Sequence, residues 1–160
     1  MKKQSTYFLR FVLTILGLAV LAFCVFALPS MLNGASAEFP YASMAVSSII
    51  VILYATAIPF YIAMWHTFKL LNYIDTNKAF SELSVLALKK IKICAAVISA
   101  LYIGIVPLLF PIADMDDAPG LLLIGAAIAC APIAVAVFAS LLQKLLQNAI
   151  DIKSENDLTV

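Results

Sequence analysis

The stretch His66–Lys92, HTFKLLNYIDTNKAFSELSVLALKKIK, decides the fold of this chain. It is the only long polar interval between hydrophobic blocks, and it carries five lysines. Two apolar runs lie on each side of it, and each can cross a hydrocarbon core of about 30 Å at about 1.5 Å per residue. The pattern predicts a membrane protein with four spans and a polar segment in the middle.

The composition of the chain also indicates a membrane protein. Hydrophobic residues make up 64% of the 160 residues and charged residues 12%, whereas about 25% of the residues in a soluble protein are charged. The formal net charge is +1. This balance argues against direct binding of nucleic acid, because such binding requires a concentrated basic face.

We predict an all-α fold, an integral membrane antiparallel four-helix bundle with cytosolic helix extensions. In the central segment, Asp75-Thr76-Asn77 predicts a turn and Ser81 predicts an N-cap. The helix that follows meets no proline or glycine before Gly104, so it should run directly into the third span. The single domain, 1–160, then consists of spans at 8–28, 43–65, 91–112 and 121–142, a central loop at 66–90 and a tail at 143–160.

The first apolar run raises the question of a signal peptide. Ala35-Ser36-Ala37 resembles a signal-peptidase site, so removal of residues 1–37 is one interpretation. However, the run is longer than the roughly 7–15 apolar residues of a signal sequence, and Pro29 separates its end from the candidate site. We therefore expect an uncleaved span. The orientation of the other spans is the same in either case.

The distribution of charge predicts the orientation. All ten Lys and Arg residues fall in the N-terminus, the central segment or the tail. Basic loops remain on the cytosolic side of a membrane. We therefore expect a multi-pass protein of the cell inner (cytoplasmic) membrane with both termini and the central loop in the cytosol. The two outer loops carry only acidic charges, Glu38, Asp114, Asp116 and Asp117.

No catalytic or transport constellation is recognisable. The single histidine, His66, follows Trp65 at the end of the second span, where aromatic residues form an interfacial belt together with Tyr61. No ionisable residue lies in the core of a span, so ion-coupled transport is not expected. We predict no enzyme activity, no cofactor and no metal. The cysteines lie at different depths in apolar runs and are interpreted as buried small hydrophobes: Cys24, Cys94 and Cys130.

The acidic turn at 114–117 has two interpretations. Its carboxylates could supply oxygen ligands to Ca²⁺ or Mg²⁺. The turn is short, however, and it does not match a calcium-binding loop position by position. We interpret it as a solvated acidic turn.

Two further patterns predict how the helices pack. Small residues at helical spacing let helices approach closely in a membrane. The helix that begins after Ser81 and the helix after Leu142 should stand upright and pair through two apolar stripes. These stripes are Leu83, Leu86 and Ala87 on the first helix and Leu145, Leu146 and Ala149 on the second. The predicted small-residue stripes are Ala96, Ala100 and Gly104 in the third span and Gly125, Ala129, Ala136 and Ser140 in the fourth.

Two motifs resemble a bacterial family of small four-span membrane proteins, catalogued as a domain of unknown function. These are Asn77-Lys78-Ala79-Phe80-Ser81 before the basic helix, and the ending Glu155-Asn156-Asp157-Leu158-Thr159-Val160. Family members often have proline or glycine where this chain has Ala79. Genes of the family frequently lie beside one for a small helix-turn-helix regulator. The resemblance therefore implies a regulatory pairing and transfers no catalytic residue.

The leading hypothesis is a non-enzymatic membrane regulator or adaptor that binds a cytosolic protein, which the resemblance suggests is a small helix-turn-helix regulator. The lysines of the central helix also attract anionic membrane lipids. The alternative is a small transporter or immunity-type protein that handles an apolar or lipid-like ligand, and a ligand-sized cavity between the spans would favour it. The candidate partner-binding residues are Phe80, Leu83, Lys89, Lys90, Lys92, Glu155, Asn156 and Asp157.

Cysteine labelling tests the predicted orientation. In a cysteine-free background, Asn33→Cys and Asp116→Cys should react with an impermeant thiol reagent added outside the cell, whereas Thr76→Cys and Ser154→Cys should not. Labelling of Thr76→Cys from outside would contradict the predicted orientation and place the central loop outside the cell.

Overall fold

The computed structural model describes residues 3–38 and 40–159. All regular elements in these two ranges are helical, and four helical stretches are long and apolar enough to cross a membrane. The predicted all-α fold is therefore confirmed. The elements are α1 (Lys3–Ala22), a π-helical turn (Phe23–Ala27), α2 (Leu28–Glu38), α3 (Ser43–Asp75), α4 (Glu82–Ile105), a 3-10 turn (Val106–Leu109), α5 (Phe110–Met115) and α6 (Gly120–Leu158).

The long helices pack as antiparallel neighbours. Helix α4 packs against both α3 and α6, and α1 packs along α3. The Tyr61 hydroxyl donates a hydrogen bond to the Gly17 carbonyl at 2.8 Å, and the Tyr54 hydroxyl donates to the Cys24 carbonyl at 2.9 Å. Tyr61 follows Tyr54 in the chain, but its acceptor, Gly17, precedes Cys24. The first and second helical stretches therefore run in opposite directions. A Cβ atom at Gly17 would lie 2.8 Å from Met64 Sδ, so glycine permits this close approach.

The first helical stretch is longer than the sequence predicted. The predicted loop after residue 28 is wrong, because α2 continues from Leu28 to Glu38. Pro29 lacks an N–H group, and its ring would clash with the carbonyl one turn earlier. The π-helical turn just before it widens the helix, and the Tyr54 hydroxyl bonds to a carbonyl within that turn. Such adjustments let a proline remain inside a spanning helix.

Two prolines interrupt the regular α-helix at the far end of the third span. Pro107 lies in the 3-10 turn that follows α4, and Pro111 lies in the first turn of α5. Neither position requires the N–H group that proline lacks. Asp117 has a φ of 49° in the turn before α6, a left-handed conformation that aspartate tolerates better than most residues.

The central segment begins later than the sequence suggested, because α3 continues to Asp75. The predicted turn follows, with Asn77 in the left-handed region at a φ of 58°. Ser81 occupies the N-cap position of α4 as predicted. Its hydroxyl, however, donates to the Lys78 carbonyl at 2.6 Å and does not cap the helix.

The two ends of the bundle carry opposite charges. We call the end where α3 ends and α4 begins the basic end, and the end where α2 ends and α6 begins the acidic end. At the basic end, Arg10 Nη2 donates to Asp75 Oδ2 at 2.9 Å and ties α1 to α3. Both side chains are partly exposed, so the pair contributes at most about 1 kcal/mol. The sequence reasoning did not anticipate this contact.

The upright pairing of α4 with α6 is confirmed, and the predicted contact residues are correct in part. Both helices are unbroken, and Gln147 Nε2 donates to Glu82 Oε1 at 3.2 Å beside the start of α4. Leu83 and Leu86 are exposed, as is Leu145. Ala87 is buried as predicted, and the other buried residues at this level of α4 are Ser84, Val85 and Leu88. Leu146 and Ala149 of α6 are partly buried. Because α4 is covered by α3 as well as by α6, its buried face is set by both neighbours.

The small-residue stripe predicted in the third span is not buried in this chain, although Ala96 and Ala100 line a groove with Ala136 of α6. Ala96, Ala100 and Gly104 are all exposed. The buried face of α4 carries Ala95 and Ser99. A spacing of four residues defines a stripe on a helix but does not say which way the stripe faces.

The stripe in the fourth span is correct in part. Ala129 is buried, and Ala136 is partly buried. A Cβ atom at Gly125 would collide with the Leu109 side chain. Ser140, the last member of the stripe, is exposed.

A pair of glycine substitutions tests this packing. Gly125→Leu should lower the free energy of unfolding in detergent by about 1–3 kcal/mol, because the added side chain overpacks against Leu109. Gly104→Leu should cause no loss, because a Cβ atom there meets nothing within 4 Å among the described residues, and leucine favours a helix over glycine. Unfolding is followed by circular dichroism, and equal losses would contradict the assigned faces.

Candidate functional sites

The tightest apolar packing lies near the acidic end of the bundle. Leu28, Ala42, Val46, Ile50 and Ile112 form one cluster, and none of these residues is more than 9% exposed. Cavities extend through the interior from the basic end to the edge of this cluster. This contrast matters because protein interiors normally hold few voids larger than a water molecule.

Three apolar cavities adjoin along the inside of the bundle. The first measures about 350 Å³ and is lined by residues of α1, α3, α4 and α6. The second, about 320 Å³, shares Phe60, Ile98 and Tyr102 with it. The third, about 230 Å³, shares Tyr102 with both and reaches Leu109. We call the three cavities the cavity track. From Ile91 to Leu109 it extends about 27 Å at 1.5 Å per residue.

The first cavity opens sideways toward the surroundings of the bundle. Leu16 of α1 and Val135 of α6 line it, and both side chains are about half exposed. Helix α1 packs mainly along α3, so α1 and α6 flank the opening. A volume of about 350 Å³ falls in the range of roughly 300–1,000 Å³ typical of small-molecule sites.

The polar groups of the cavity track are few and none is charged. The Thr67 hydroxyl donates to the Ala63 carbonyl at 2.9 Å, and the Thr56 hydroxyl donates to the Leu53 carbonyl at 2.7 Å. The Tyr102 hydroxyl differs from the hydroxyls of these threonines and of Tyr54 and Tyr61 in its hydrogen bonding. It makes no hydrogen bond to any residue that the structure describes, although the Tyr102 side chain lines all three cavities.

The side chains around His66 are basic. His66 lies just beyond the predicted second span, and its pKa is lowered first by partial burial and then by the positive charges of Lys69 and Lys90. Lys69 Nζ lies 5.7 Å from the centre of the exposed Trp65 ring. Tyr61, which we assigned to the same interfacial belt, instead bonds inward to α1.

The predicted partner-binding residues of the central segment lie at the basic end. Phe80 precedes α4, and Leu83 lies in its first turn; both are exposed. Lys89 and Lys90 are exposed, and Lys92 is partly buried. The structure therefore places these five residues along one end of α4.

The predicted partner-binding residues of the tail lie elsewhere. Glu155, Asn156 and Asp157 are exposed near the C-terminal end of α6. They lie eight to ten residues beyond Gln147, which contacts the start of α4, so about 12–15 Å of helix separates them from that contact. The structure does not bring the two groups into one patch.

The other candidate residues remain apart. Cys94 is buried and Cys24 is partly buried, but Cys130 is exposed, which corrects the interpretation of all three as buried. Asp114 and Asp117 border a small cavity of about 220 Å³ at the acidic end. Within residues 3–38 and 40–159, no three His, Cys, Asp or Glu residues are grouped to hold a metal.

The cavity track was missed by sequence reasoning. Tyr102 lies within an apolar run and belongs to no motif. A polar side chain in the middle of a predicted span is the signal that could have singled it out. The cavities themselves have no sequence signal, because they depend on gaps left between four helices.

These features define the class of this molecule as a small all-helical membrane protein with four spanning stretches. The profile of the family described as "Protein of unknown function (DUF2975)" matches residues 30–160. The chain belongs to this family, which confirms the resemblance found in the sequence. It is also 51% identical over 160 residues to "Uncharacterized membrane protein YoaS" of Bacillus subtilis (strain 168), covering 100% of both chains. No solved structure matches the chain.

Proposed function

We propose that this protein is a non-enzymatic regulator or adaptor of the inner (cytoplasmic) membrane that binds a cytosolic protein at its basic end. In this proposal both termini and the basic end lie in the cytosol. The observation that carries it is a set of large apolar side chains exposed outside the predicted spans. Phe80 is 65% exposed and Ile152 67% exposed, and Leu83 is also exposed.

Ile152 lies too far from the predicted span for lipid to cover it. Helix α6 has 39 residues and is therefore about 58 Å long, nearly twice the thickness of the hydrocarbon core. Ile152 lies ten residues beyond the predicted end of the fourth span at Leu142, or about 15 Å along the helix. The headgroup layer extends only about 5–8 Å beyond the hydrocarbon.

The projecting end of α6 also lacks contacts on every side. All described residues from Asp151 to Thr159 are exposed. A short helix is marginally stable in water without tertiary packing, so a partner would stabilise this one. The charge around the apolar residues differs between the two helices. Lys89 and Lys90 are exposed on α4, and Glu155 and Asp157 on α6.

A matched pair of substitutions tests this proposal. Ile152→Glu should lower recovery of the cytosolic partner with the full-length protein about tenfold or more, because a buried isoleucine contributes about 1.5–3 kcal/mol and each 1.4 kcal/mol is tenfold in affinity. The family resemblance suggests the neighbouring helix-turn-helix regulator, so the two are co-expressed and co-purified. Ser154→Glu adds the same charge to the same exposed segment and should leave recovery unchanged. Equal recovery with both variants would contradict the proposal.

A second candidate function is supported by the cavity track. The sequence hypothesis of a small transporter or immunity-type protein for an apolar or lipid-like ligand required a ligand-sized cavity between the spans. The first cavity has that size, an apolar lining and an opening between α1 and α6. Dry apolar cavities bind apolar molecules.

Two adjacent alanines test the second candidate. Ala95 is buried and lines the first cavity, whereas Ala96 is exposed and does not. Ala95→Phe should fill the cavity and reduce the amount of apolar molecule that co-purifies, quantified by mass spectrometry of an organic extract. Ala96→Phe should leave it unchanged. An unchanged amount with the correctly folded Ala95→Phe variant would contradict a ligand in this cavity.

A further inference from the structure

The chemistry of the cavity track specifies its ligand more closely than size alone. Apart from Tyr102 and two threonines whose hydroxyls already donate to backbone carbonyls, the track is apolar. No charged side chain among the described residues lines it, and an unpaired charge in such an environment is strongly unfavourable. The part of the ligand inside the track must therefore be uncharged.

The shape of the track favours an elongated molecule. The first two cavities share Phe60, Ile98 and Tyr102, and the third shares Tyr102 with both. Their lining runs about 27 Å, from Ile91 of α4 to Leu109 of the 3-10 turn. This length is close to the hydrocarbon thickness of a bilayer, about 30 Å. The sideways opening beside Leu16 and Val135 would admit a molecule already dissolved in the membrane.

Tyr102 supplies the single unused donor. Its side chain lines the three cavities, and its hydroxyl has no partner among the described residues, whereas the hydroxyls of Tyr54 and Tyr61 donate to carbonyls of the first span. Tyr102 is partly buried, and its hydroxyl is accessible from the space beside it. A tyrosine hydroxyl that is held away from bulk water usually finds a hydrogen-bond partner. In this track that partner would have to come from a ligand or a water molecule, and the apolar lining gives a water few other groups to bond.

We propose that the cavity track binds a long, uncharged hydrocarbon chain carrying one acceptor oxygen, a carbonyl or ester, to which the Tyr102 hydroxyl donates. This inference rests on the second candidate function and adds the ligand class and the residue that selects it. The hydrocarbon fills the apolar cavities, and Tyr102 distinguishes an oxygen-bearing chain from a plain one. No covalent step is involved.

Photolabelling of the full-length protein in bilayer nanodiscs tests this assignment. The probes are a long-chain methyl ketone and the alkane of the same length, each carrying a diazirine, and the labelled positions are mapped by mass spectrometry. In the unsubstituted protein the ketone should label track residues such as Phe60 and Ile98 about three- to tenfold more than the alkane, the range expected for one hydrogen bond.

Two isosteric variants provide the comparison. Tyr102→Phe removes only the hydroxyl and should bring ketone labelling down to the alkane level. Tyr61→Phe removes a hydroxyl that bonds to Gly17 and lines none of the three cavities, so the preference for the ketone should persist. Loss of the preference in both variants would overturn the role of Tyr102.

Two further labelling outcomes distinguish failure of the proposed ligand class from failure of the ligand-binding function on which it rests. If the ketone and the alkane label the track equally, and Tyr102→Phe does not change this labelling, the proposed role of Tyr102 is overturned. The track would then be an apolar site that does not select between the two probes. Labelling confined to outward residues such as Phe138 would overturn both the ligand class and the ligand-binding function. The partner surface at Phe80 and Ile152 is not affected by either result.

Discussion

The bundle depends on keeping backbone N–H and C=O groups hydrogen-bonded inside the hydrocarbon, where an unpaired group costs several kcal/mol. The chain contains seven prolines, and each proline inside a helix removes one donor. Pro29 follows a π-helical turn, and Pro107 lies in a 3-10 turn. Tyr54 donates to a carbonyl of the π-helical turn from a neighbouring helix. Local irregularity thus lets the helical stretches continue through these prolines.

The same contacts explain why the interior is tight at one end and open elsewhere. Two tyrosine hydroxyls and the Arg10–Asp75 ion pair hold α1 against α3. Between α1 and α6 no comparable polar contact is present in residues 3–38 and 40–159. The apolar cluster around Ile50 packs α2, α3 and α5 together near the acidic end, beside the third cavity. The cavity track lies in the space that this arrangement leaves.

The partner surface and the cavity track belong to the same two helices. Helix α4 carries the exposed Leu83 in its first turn and lines the track at Tyr102, while α6 lines it at Pro132 and projects to Ile152. Each helix is continuous between its two sites. The proposed adaptor role and the proposed ligand site therefore rest on different side chains of one framework, and each can be altered without removing the other.

The sequence by itself determined the four helical stretches, the all-α class, the central turn and the upright α4–α6 pair, because length, apolar periodicity and turn residues are local properties. It did not determine which faces meet. Leu83, Leu86 and Gly104 were assigned to interfaces, yet Ser84, Val85 and Ala95 are the buried residues. The Arg10–Asp75 pair and the unpartnered Tyr102 likewise required the tertiary structure. The rotation of a helix about its axis, and any space left beside it, depend on side chains from several helices at once.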